Sequence, residues 1–307
     1  MSKGLLAFFA TLLCLALLRI GIAYWLVPES LKLPISLLIT VAFVALPIIA
    51  LFRAASAQWT VRLAVAFIVL GALLQFVLPL LSPGGKGFLA ILMDAISQQG
   101  LPMWTVGLGA LLALMLKDKN LLLPVSIFLA LFDIFLVFTP VGFVQQLMKK
   151  APALLPAMAH RIPSVATTPQ QTGVPVGTFA HIGPADFLFM GMFFVALFKF
   201  SMRTTETFRW LLVALAVYLP LVLVLGPIPL LVPIGLTVLV VNIREFKLNK
   251  EEKVSTIAVA LIGIAIVAFA ATRPRPVEPA EPSRVESGPG VPESEGSPAP
   301  AMPDRRR

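Results

Sequence analysis

Two aspartates lie in runs where an acid is costly. Asp133 sits within Ala130-Leu131-Phe132-Asp133-Ile134-Phe135-Leu136-Val137-Phe138-Thr139-Pro140, and Asp186 follows Ile182-Gly183-Pro184-Ala185 and precedes Phe187-Leu188-Phe189. A carboxylate at bilayer depth costs about 2.5–3.5 kcal/mol on an insertion scale, so it faces protein or water, and usually because it works there. Two carboxyls held together in a low dielectric share one proton, and such a pair supplies an acid and a base at once. The plainer reading of Asp133 is a hydrogen bond between helices, and that of Asp186 is a helix N-cap. Two other charges share these runs. Asp94, on a short amphipathic stretch at 87–97, is expected to face lipid headgroups. Arg19, in the first apolar run, either snorkels to the surface or pairs with an acid.

The elements that must carry these residues are membrane helices. Of 307 residues, 58% are hydrophobic and only 13% are charged, too few polar groups to cover a soluble surface of this size. Apolar runs of 18 or more residues succeed one another, each long enough to cross a hydrocarbon core as a helix. The runs do not alternate as barrel strands do. The sequence predicts an all-α, polytopic bundle of about nine spans: 5–27, 33–52, 61–81, 102–116, 121–148, 182–200, 208–225, 228–243 and 254–271. Pro140 is expected to break the fifth. The four tryptophans Trp25, Trp59, Trp104 and Trp210 fall near span ends, as an interfacial belt requires.

The net charge of +9 comes from basic residues scattered between spans, which argues for topology signals and against nucleic acid. Their distribution favours the N-terminus inside and the C-terminus outside. Cys14 is the single cysteine and His160 and His181 are the only histidines, so no cysteine metal site and no histidine-based cluster are expected. The connection 145–181 carries Lys149, Lys150, Arg161 and repeated prolines and reads as an irregular mobile loop. Residues 272–307, rich in Pro, Glu, Ser and Arg, read as a disordered tail. If Pro140 ends its helix, Asp133 is about 10 Å from that end at 1.5 Å per residue. Asp186 lies a few residues into the next, antiparallel helix. Both carboxyls then reach one depth, on the side of the loop.

Three segments in order resemble the presenilin and signal-peptide-peptidase family of intramembrane aspartyl proteases. Phe132-Asp133 with its aromatic continuation resembles that family's Tyr-Asp motif. Gly183-Pro184-Ala185-Asp186 resembles its Gly-x-Gly-Asp motif, and Pro229-Leu230-Leu231, within 226–233, its Pro-Ala-Leu motif. The likeness covers 121–243, leaving 1–120 as N-terminal helices and 254–271 as an additional C-terminal span. Phe132 stands where the family has tyrosine, Ala185 where it has the second glycine, and Leu230 where it has alanine.

The resemblance implies a prokaryotic-type, multi-pass protease of the inner (plasma) membrane that hydrolyses peptide bonds within transmembrane helices. Asp133 and Asp186 would be catalytic, with Phe132, Gly183, Pro184, Ala185, Pro229, Leu230 and Leu231 contacting substrate. Its partners would be transmembrane proteins or peptides and the bilayer, with no nucleic acid, and it would need no cofactor. Two alternatives remain open on the residues themselves. One is a presenilin-like scaffold that binds helices without cutting them. The other is a proton- or ion-coupled transporter, since buried carboxylates and Gly/Pro-broken helices also mark carriers.

Overall fold

Apolar runs without internal breakers become helices, and in this computed structural model they do so throughout. It describes residues 2–81, 86–139, 157–225 and 228–272. Among the described residues the α-helices are α1 (Lys3–Ala23), α2 (Lys32–Ala55), α3 (Val61–Ala72), α4 (Phe88–Ser97), α5 (Gly100–Met115), α6 (Leu122–Phe138), α7 (Pro184–Lys199), α8 (Thr204–Leu225), α9 (Leu231–Asn242) and α10 (Lys250–Ala271). Six helical stretches among the described residues are long and apolar enough to cross a membrane: α1, α2 with its leading turn, α3 with its continuation to Leu81, α6 with its leading turn, α8 and α10. Their outward faces are apolar, with Leu13, Leu38, Val65 and Leu261 all exposed, which suits lipid and not water. The chain is a multi-pass helical membrane protein. Three further expected spans correspond to the shorter helices α5, α7 and α9, of 16, 16 and 12 residues.

The centre of the bundle is α7. Every residue from Met190 to Leu197 is buried, the pattern of a helix enclosed on all sides. Close approach to α5 depends on small residues. A Cβ at Gly109 would stand 2.5 Å from the Leu188 carbonyl oxygen, and Gly191 faces Val106 at 3.3 Å. The far end of α7 is tied to the end of α5 by Lys199, whose ammonium donates to the carbonyls of Ala113, Leu114 and Leu116 at 3.1, 3.0 and 2.6 Å. A cation there offsets the unpaired carbonyls of a helix C-terminus.

The third predicted span runs over the expected residues, but not as one regular helix. After Ala72 the backbone widens into a π turn at Leu73–Val77 and tightens into a 3-10 turn at Leu78–Leu81. Gly71 and Gly100 let α3 and α5 touch: a Cβ on Gly100 would meet the Gly71 carbonyl oxygen at 2.4 Å. The π turn sends buried Gln75 inward, where it accepts from the Trp104 indole at 2.6 Å and donates to the Ala157 carbonyl at 3.2 Å. Trp59 is likewise buried, donating to the Ala54 carbonyl at 3.0 Å. Of the four tryptophans read as an interfacial belt, only Trp25 and Trp210 are exposed.

The connection expected to be irregular contains a hairpin. Strand β1 (His160–Pro163) pairs antiparallel with β2 (Thr178–Ile182), His160 opposite Ile182 and Arg161 opposite His181. The intervening chain is stitched to the end of α1: the Gly173 N–H donates to the Ala23 carbonyl at 3.0 Å, and the Val27 N–H donates to that of Ala166 at 2.9 Å. The first part of the predicted loop, through residue 156, and the tail from 273 onward lie outside the described residues.

Asp94 does not face headgroups. Its carboxylate sits between two guanidiniums, bonded to Arg161 and 3.4 Å from Arg19. Arg19 is 1% exposed, also donates to the Arg161 carbonyl, and lies over the Phe43 ring. A buried guanidinium cannot be left without a counter-charge, and the only acid on the neighbouring α4 supplies it. The Arg161 N–H donates to Gln98 at 2.9 Å. Through these bonds α1 and α4 hold β1 in place, and β1 holds β2, which leads straight into Gly183.

Candidate functional site

Helix α6 packs on its neighbours through one stripe: Leu122, Ser126, Leu129 and Asp133 are its buried residues, spaced by four, three and four. Asp133 is thus the last rung of the face that seats α9. The seat is close because Gly235 of α9 faces the Ser126 carbonyl oxygen, where a Cβ would stand at 3.0 Å. Asp133 is 9% exposed, and its Oδ2 accepts from the Leu231 N–H at 2.8 Å. Leu231 is the first residue of α9 and has no side-chain cap from its own preceding residue. The Asp133 carboxylate therefore satisfies a helix N-terminus supplied by another segment, 98 residues away in sequence.

Asp186 stands at the third position of α7. Pro184 opens that helix, where its missing N–H costs nothing and its fixed φ fits the first turn. The Asp186 Oδ2 turns back to accept from the Gly183 N–H at 3.1 Å. Gly183 has little room for a side chain: a Cβ there would lie 3.3 Å from the same oxygen. Asp186 is only partly buried. Each carboxyl thus serves the entry of one helix, α9 for Asp133 and α7 for Asp186. Helix α9 packs on both α6 and α7, and the Asp133 and Asp186 carboxyls lie within electrostatic reach of one another.

The other sequence-predicted residues distribute unevenly. Leu231 and Pro229 are buried and Leu230 is partly so, at the entry to α9. Ala185 is exposed at the entry to α7. Phe132 is turned away from the Asp133 stripe: it is 40% exposed and stacks between Phe128 and Phe135, at 5.6 and 6.4 Å. That follows from helix geometry, because adjacent residues point about 100° apart.

Sequence reasoning missed Tyr218. Its hydroxyl, on α8, donates to the Ile228 carbonyl and lies within electrostatic reach of both Asp133 and Asp186. The chain has two tyrosines, and this one lies in Ala216-Val217-Tyr218-Leu219-Pro220, away from any span end. A phenol at that depth needs a partner, and that signal was available. Outside the spans, His160 is fully enclosed between Phe43 and Phe187. Burial, and after it the Arg19 charge, pushes its pKa down to about 3. It is a neutral ring that packs the hairpin onto α2 and α7.

Among the described residues no group of three or more His, Cys, Asp or Glu side chains is gathered to hold a metal ion. No family model, no curated protein and no solved structure matches this chain.

Proposed function

We propose that this protein is an intramembrane aspartyl protease of the presenilin and signal-peptide-peptidase type, cutting peptide bonds within transmembrane helices. The observation that carries the reading is the pair of carboxyls on α6 and α7, mutually in electrostatic reach at the entries of two helices and joined through α9. Its three motif segments occur in the order the resemblance requires, and the last of them meets the first directly in the Asp133–Leu231 bond.

The ionised member of the pair takes a proton from water as that water attacks the scissile carbonyl carbon. The protonated member donates to the carbonyl oxygen, giving a gem-diol. Collapse of the diol breaks the C–N bond, and the leaving nitrogen takes a proton from the dyad. The roles belong to the pair and not to either residue alone. In this reading α5, α7 and α9 also cross the membrane, completing nine spans. At 1.5 Å per residue α5 and α7 are about 24 Å long, and their short lengths are tolerated because protein and not lipid surrounds them.

A helical substrate hides its carbonyls, so it must be drawn out before it is cut. Strand β2 is paired on one side by β1, and its Thr178, Phe179 and His181 are exposed. An extended segment adds to such an edge by backbone hydrogen bonds, which delivers it to Gly183 and Asp186. Beside β2, an apolar cleft of about 340 Å³ opens between α2 and α8, lined by Val41, Ala45, Phe179, Ala216 and Leu219 among others. It suits the still-helical part of the substrate.

The test is incubation of the purified protein in lipid vesicles with transmembrane peptides, read by mass spectrometry. Paired fragments ending inside the apolar stretch are the expected result. Intact peptide accompanied by ion-driven uptake would make the protein a carrier. Peptide bound but left whole would make it a scaffold.

A further inference from the structure

The segment that opens α9 is held at both ends by side chains from other elements. At its C-terminal end the Leu231 N–H donates to Asp133 Oδ2 at 2.8 Å. At its N-terminal end the Ile228 carbonyl accepts from the Tyr218 hydroxyl of α8. Between the two anchors Pro229 is buried and has no N–H to give, and the Leu230 side chain is partly exposed. These two bonds tie the described connection to α6 and α8. Asp133 is proposed to change its protonation during hydrolysis, so its bond to Leu231 strengthens and weakens through the cycle. The Tyr218 bond, made to a neutral carbonyl, does not.

We infer that Tyr218 is a positioning residue for the hydrolysis: by holding the Ile228 carbonyl it keeps the 228–231 segment, and with it the Leu231 N–H, aimed at Asp133. The inference rests on the dyad reading and adds a group that none of the three motif segments contains. The hydroxyl sits on α8, the helix that leads by a short connection into α9. Its phenol also lies within electrostatic reach of both carboxyls. Phe132, at the position where the resembling family has its tyrosine, is stacked on an outward face and offers no hydroxyl there.

The test compares wild type with Tyr218→Phe, which keeps the ring and removes only the donor. Hydrogen exchange, resolved to peptides covering residues 228–231, is measured first, because it reports the anchor whether or not peptide is cut. Faster exchange confined to that segment is expected, with the thermal midpoint nearly unchanged. Cleavage of a transmembrane peptide is then measured: kcat is expected to fall roughly tenfold or more with KM within about twofold, since a misaligned group costs the chemical step more than binding. Unchanged exchange overturns the inference. So does faster exchange with an unaltered kcat, or a rise in KM alone. If wild type cuts no peptide, the dyad reading fails and the catalytic role of Tyr218 falls with it. An active wild type with an indifferent Tyr218→Phe instead leaves the dyad standing and removes Tyr218 alone.

Discussion

At the residue scale, both aspartates have a second occupation, and it bears on how they are tested. Each carboxyl accepts from a backbone N–H at a helix entry. The plain reading of Asp133 as a hydrogen bond between helices describes a real contact. Asp186, read as an N-cap, instead stands at the third helical position and bonds back to the cap residue Gly183. Both contacts coexist with the proposed chemistry. The amide oxygen of asparagine accepts the same bond, so Asp→Asn removes the acid and keeps the cap. Gly183 is the neighbour most sensitive to size. In Gly183→Ala the new methyl presses on Asp186 Oδ2 from 3.3 Å, and the carboxyl must yield by a few tenths of an ångström. The expected outcome is a folded protein whose peptide turnover falls about tenfold, the order of loss a small misplacement causes. Turnover equal to wild type would mean that the Asp186 position is not critical. The acids were legible because charge inside an apolar run stands out. Tyr218 was passed over because one hydroxyl barely perturbs a hydropathy pattern.

At the element scale, helices were read from sequence with most described ends within a few residues, because a run of apolar residues favours a helix. The expected end of the fifth run, at 148 beyond Pro140, lies outside the described residues. The exceptions have specific causes. The π turn after Ala72 depends on Gly71 meeting Gly100 on another helix, and the β1–β2 hairpin depends on Arg19, Asp94, Gln98 and Ala23. No local pattern carries such long-range partners, and short, proline-rich strands look like loop. Two expectations follow for the hairpin. Asp94→Asn leaves Arg19 and Arg161 sharing no counter-charge, one of them buried, and is expected to cost about 3–5 kcal/mol of stability, read as a large drop in thermal midpoint. A drop no greater than that of a surface substitution would show the triad to be incidental. His160 gives a pH signature. Its folded pKa of about 3 lies below the value of about 6.5 for an exposed histidine, so the unfolded chain binds the extra proton. Its contribution to stability is complete above about pH 6.5 and is lost progressively as pH falls towards 3. His160→Phe keeps a ring between Phe43 and Phe187 and is expected to flatten the midpoint-versus-pH curve between those limits. An unchanged slope would place the acid sensitivity elsewhere.

At the scale of the whole molecule, an enclosed helix carries one acid and a peripheral one carries the other. Helix α7 is surrounded, with α5 locked to it at Gly109 and Lys199. Helix α6 buries only a stripe and stands beside α9 and α10, the latter close enough that Gly263 abuts Leu131. A rigid centre and a less enclosed flank suit an enzyme that must admit a helix from the side. Composition alone gave the membrane class, and the order of motif segments suggested which helices to bring together. The bridging role of α9 came only from the Asp133–Leu231 contact. The central claim is that Asp133 and Asp186 act as one catalyst, and the most direct measurement is turnover of a transmembrane peptide by Asp133→Asn and by Asp186→Asn, each reconstituted in lipid and matched to wild type in thermal midpoint. The account expects no fragments from either variant. Wild-type turnover in either one would contradict it.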